Sequence, residues 1–120
     1  MVPSAFAALK VGKAKSAGLL DVSTSGLPYV TRSCGRIYYY NGLNWNQVGA
    51  LLALDISISN EGNLFAVGTD NKLYKAKHDD TFTLIEEVEY AKAVTVGPFN
   101  LPFTIGHDDS VLFSAKSDFN

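Results

Sequence analysis

LPYVTRSCGRIYYY, residues 27–40, has two gap-free counterparts in the same chain: NLFAVGTDNKLYKA at 63–76 and LPFTIGHDDSVLFS at 101–114. The three segments begin at residues 27, 63 and 101, a period of 36 and then 38. Their third column is aromatic throughout (Tyr29, Phe65, Phe103). Their eleventh is aliphatic (Ile37, Leu73, Val111), and their twelfth is Tyr38, Tyr74 and Leu112. Between the apolar runs lie short polar tracts: Arg32-Ser33-Cys34-Gly35-Arg36, Thr69-Asp70-Asn71-Lys72 and His107-Asp108-Asp109-Ser110. An apolar run, a polar turn and a second apolar run describe a β-hairpin.

The flanks repeat too. Leu54, Ile56 and Ile58 alternate with Asp55, Ser57 and Ser59, the period of two of a half-buried strand. Shorter runs stand in the same place before the other segments, at Leu20-Asp21-Val22-Ser23 and Ala93-Val94-Thr95-Val96. Turn signals follow each one: Ser25-Gly26, Asn60-Glu61-Gly62-Asn63 and Gly97-Pro98. After the first two segments comes a fourth short run, Trp45-Asn46-Gln47-Val48 and Phe82-Thr83-Leu84-Ile85. Four short strands in each repeat of this length predict an all-β fold, a β-propeller with three four-stranded blades per chain. The expected repeats are residues 18–53, 54–91 and 92–120 of a single domain, 1–120. The third repeat ends before a fourth strand, and Phe6-Ala7-Ala8-Leu9 precedes the first with similar character. Residues 4–11 are therefore expected to close the ring as an exchanged N-terminal strand. Three blades are too few for a ring. Two chains would make a six-bladed one with twofold symmetry, so a homodimer is expected. A larger ring of three chains and a fragment of a longer propeller are the alternatives.

Composition narrows the function. A net charge of −2, with no long Lys/Arg run, argues against nucleic acid as a partner. The single cysteine, Cys34, forbids an internal disulfide, and two separated histidines give no zinc spacing. No apolar stretch is long enough to span a membrane, so no membrane insertion is expected. The N-terminus lacks the order of a signal peptide, which predicts a cytoplasmic protein or one exported by a non-classical route. No nucleophile motif, phosphate loop or His/carboxylate pair emerges, so neither an enzyme nor a cofactor is expected. His107-Asp108-Asp109 lacks the oxygen spacing of a calcium loop, and no metal is expected.

The repeat resembles the tectonin family of β-propellers. The middle of the chain carries the likeness: Trp45-Asn46-Gln47-Val48-Gly49, Asp55-Ile56-Ser57-Ile58-Ser59, Gly62-Asn63-Leu64-Phe65-Ala66-Val67 and Leu73-Tyr74. The other copies depart from it, with Phe82 where the family prefers tryptophan and Pro102-Phe103-Thr104-Ile105 in the third. The resemblance spans about residues 18–116. It implies six blades and carbohydrate binding, several members being lectins of innate recognition while others are intracellular interaction modules.

Within IYYYNGLNWNQV (37–48), the repeat accounts for Ile37, Tyr38, Trp45 and Val48 as framework. Trp45 has the bulk to pack between sheets, which is its expected role, and the chemistry to contact a ligand. Tyr38, Tyr39 and Tyr40 alternate across a strand and cannot form one platform. Tyr40 is different, because its column partners are Ala76 and Ser114. Beside it stand Asn41, Asn44 and Asn46. Amides next to an exposed ring are the groups that hold a sugar, so Tyr40, Asn41, Asn44, Trp45 and Asn46 form the candidate glycan site. The bland reading of the asparagines is a hairpin loop, with Asn41-Gly42 its turn. The polar tips differ in chemistry from copy to copy and read as exposed turns. The expected function is a multivalent lectin. The alternative is a protein-interaction propeller or a subunit of a larger assembly.

Overall fold

The computed structural model describes residues 18–77 and 79–113. The expected closing strand at 4–11, and residues 114–120, lie outside them. The described residues form antiparallel β-structure with no α-helix: β1 Leu20–Val22, β2 Pro28–Thr31, β3 Arg36–Tyr40, β4 Trp45–Ile58, β5 Leu64–Gly68, β6 Leu73–Ala76, β7 Phe82–Leu84, β8 Val94–Val96, β9 Pro102–Ile105 and β10 Val111–Phe113. Strand order follows the chain from β1 to β7, and β8, β9 and β10 form a separate three-stranded sheet. The all-β class expected from the repeat is what the chain adopts.

One feature of β4 departs from expectation. The fourth run of the first repeat and the first run of the second are one continuous 14-residue strand. Its first part pairs with β3 and its second with β5, so β4 belongs to two sheets. Along β3 the register runs Tyr40↔Trp45 and Tyr38↔Gln47, then jumps to Arg36↔Leu52. The extra residues on β4 form a bulge, which bends a strand and raises its twist. Gly49 stands in this bend with φ +58°. A Cβ there would lie 2.3 Å from the Asp80 carbonyl oxygen and 3.0 Å from the Phe82 ring. Only glycine lets the chain pass from the first sheet (β1 to β4) to the second (β4 to β7).

The sheets pack face to face. Ile37 and Val48 of the first sheet share a core with Ala53, Ile56, Leu64 and Ala66 of the second, and Tyr29, Tyr39 and Phe82 pack against it. Phe65, Val67, Leu73, Ile85 and Val88 share another core with Ala91 and Val94, and Val96 of the third sheet packs against that one. Along β5, Leu64 and Ala66 point one way and Phe65 and Val67 the other. That is why its apolar run is unbroken: the strand is buried on both faces.

Polar side chains also tie sheet to sheet. Asp21, Ser57 and Thr95 each lie opposite the aromatic column, facing Tyr29, Phe65 and Phe103 across their hairpins. The Asp21 carboxylate accepts the Ile58 amide at 2.7 Å, and the Ser57 hydroxyl accepts the Val96 amide at 3.2 Å. Ile58 and Val96 occupy the same column of successive sheets. Sequence alignment pairs Asp21 loosely with Asp55; the structure pairs it with Ser57. Asp55 makes a separate link, accepting the Val94 amide at 2.9 Å.

Candidate functional site

Tyr40 ends β3 and Trp45 begins β4, directly opposite each other. Their ring centroids are 5.1 Å apart and the planes are tilted by 46°. Both rings are half-buried. Among the described residues Trp45 belongs to neither core cluster. Its counterpart Phe82 does pack against the core between the first and second sheets. The physical reason for the difference is position. Phe82 has the first sheet in front of it, whereas no described sheet stands in front of the first.

The asparagines divide by role. The Asn41 side-chain oxygen accepts the amides of Leu43 at 2.8 Å and Asn44 at 2.7 Å, an Asx turn that shapes the loop. That oxygen is committed to the fold, and the amide NH2 is the group Asn41 can still offer to a ligand. Asn44 is exposed beside it. Asn46 is half-buried, and its NH2 approaches the Asn44 carbonyl at 3.4 Å. The structure thus brings Tyr40, Asn41, Asn44 and Trp45 together at one hairpin end, whereas Asn46, the register partner of Tyr39, belongs to the opposite face of the sheet. Tyr39 turns the other way, stacked with Tyr29 at 5.6 Å.

The sequence pattern marks Tyr29 only as the aromatic third column and Tyr39 only as one of three alternating tyrosines, and does not single out their stacking. The signal was available, because the hairpin alignment sets Tyr29 opposite Tyr39. Burial, followed by the neighbouring Tyr39 and Asp80, holds the Tyr29 hydroxyl above its usual pKa. A second missed ring is Phe99, exposed at φ +64°, a conformation costly for a bulky residue.

The polar tips serve as turns. The Arg32 guanidinium lies 4.6 Å from the Tyr38 ring centroid. Tyr74 donates its hydroxyl to Asp70 at 2.6 Å, and that bond is the leading cause of its raised pKa. His107 stacks on Tyr90, and Lys92 pairs with Asp109. Among the described residues no group of three or more His, Cys, Asp or Glu side chains is placed to hold a metal, and no helix is long and apolar enough to cross a membrane. No protein-family model matches the chain, and no curated protein matches it.

Proposed function

We propose that this protein is a non-catalytic, glycan-binding lectin of tectonin type. In this reading its three sheets are propeller blades, and two chains close a six-bladed ring with residues 4–11 as the exchanged strand. The observation that carries the reading is the half-buried Tyr40–Trp45 pair beside Asn41 and Asn44. A pyranose offers an apolar C–H face and a rim of hydroxyls. An aromatic ring takes the face and amides take the rim, both at small entropic cost because the hairpin holds them. A single shallow site of this kind is weak, and repetition around a ring raises avidity without new contacts.

The test is a glycan array probed with purified, tagged protein, against a denatured control. Selective binding to a related set of glycans is expected. Tyr40→Ala and Asn44→Ala are each expected to weaken that binding roughly tenfold, the scale of one stacking or hydrogen-bond contact. A blank array at high protein concentration overturns the reading.

The second reading is a protein-interaction propeller. The divergent tips favour it: Arg32 and Arg36, then Asp70, then Asp108 and Asp109 occupy matching turns. An asymmetric charge pattern suits one specific partner. A pull-down that captures one partner stoichiometrically, alongside a blank array, would select it.

A further inference from the structure

Leu20 is 69% exposed and Val111 is 70% exposed, yet both stand in columns that are buried elsewhere. Hairpin register places Leu20 with Ile56 and Val94, opposite Val30, Ala66 and Thr104 respectively. The gap-free alignment places Val111 with Ile37 and Leu73. Ile37 and Ile56 share the core between the first and second sheets. Leu73 and Val94 share the core between the second and third. Both junctions therefore join the Val111 column of one sheet to the Leu20 column of the next. Among the described residues, Val111 and Leu20 are the members of these columns left uncovered.

The polar column runs the same way. Asp21 takes the Ile58 amide and Ser57 takes the Val96 amide. Thr95 is the third member, and it is exposed. By register the matching amide is that of Val22, on the end strand β1. There it donates to the adjacent Asp21 carboxylate at 2.8 Å.

We infer that the β8–β10 face of one copy seats on the β1–β3 face of a second copy, with Val111 and Leu20 sharing a core and the Thr95 hydroxyl accepting the Val22 amide. The inference rests on the blade reading above, and it sets Tyr40 and Trp45 at the seam between two copies, because they share the Leu20 face of the first sheet. A second copy is the fitting occupant because both halves of the junction already exist twice inside each chain. The contact is head-to-tail, and two copies close it by making it twice about a twofold axis. Tyr40 and Trp45 then lie along the seam, as their counterparts Ala76 and Phe82 lie along the junction inside the chain.

Sedimentation equilibrium on the full chain and on single variants tests this. Val111→Asp and Leu20→Asp are each expected to raise the dimer dissociation constant by about 100-fold, because each places a charge in both junctions. Mixed together, the two variants recover association, since a mixed dimer gathers both charges into one junction and leaves the other clean. Both residues are exposed in the single chain, so circular dichroism should show the fold intact. Should either variant unfold, Thr95→Val serves instead, with a roughly tenfold rise expected. A monomeric wild type, a Val111→Asp protein that dimerises normally, or a mixture no better than its components would overturn the inference. The same samples on the glycan array separate the two proposals. A dimer that complements but binds no glycan overturns the lectin reading alone, and a monomer that binds glycan overturns the junction alone.

Discussion

Gly49 combines φ +58° with a space too small for a Cβ, the nearest atom being the Asp80 carbonyl oxygen at 2.3 Å. Gly49→Ala should therefore lower unfolding free energy by about 2–4 kcal/mol, read from urea denaturation. Gly42 is the control. It has φ +98° but nothing within 4 Å, so Gly42→Ala should cost only about 1 kcal/mol of backbone strain. Asp79 offers a test of sign. Thr81 gives its carboxylate a hydroxyl bond at 2.6 Å and an amide bond at 3.2 Å, and these hold its pKa below the usual carboxylate range. A group lowered in the folded state adds stability above the unfolded pKa and loses it as pH falls through the folded one. Thr81→Val should move the Asp79 pKa up toward its ordinary value, measured by NMR titration of the carboxyl carbon. A pKa left unchanged would assign the shift to other contacts.

The inter-sheet latch belongs to the scale of elements. Asp21 and Ser57 each satisfy an amide on the first strand of the next sheet. Ser57→Ala should cost about 1 kcal/mol, and Asp21→Ala about 1.5–3 kcal/mol, because its bond is charge-assisted and it also accepts the Val22 amide. Amide exchange should quicken at Ile58 in the Asp21 variant and at Val96 in the Ser57 variant. Unchanged exchange at those amides would show that the latch carries no stability. This column was not legible in the sequence, because Asp, Ser and Thr share only an acceptor oxygen. The hairpins were legible, since an aromatic column and an aliphatic column recur at a fixed distance from each turn. The merging of two runs into β4 was not: residues 49–53, Gly-Ala-Leu-Leu-Ala, contain a single glycine and no second break, so nothing local separates a turn from a bulge.

At the scale of the molecule, the repeat dictated sheets that need neighbours. The second sheet has one on each side, and β5 is buried throughout. Among the described residues the first and third sheets have a neighbour on one side only, and Leu20 and Val111 are exposed where their counterparts stand in cores. The same logic explains the candidate site. Five residues from one hairpin could be grouped from sequence because they are close in the chain. Trp45 lies outside the cores of the described residues because no described sheet stands ahead of it, which no local pattern encodes. The most direct measurement is the mass of the wild-type chain by sedimentation equilibrium across the micromolar range. Twice the 13.0 kDa of one chain is expected, with no larger species at the highest concentration. A mass of one chain at every concentration would contradict it.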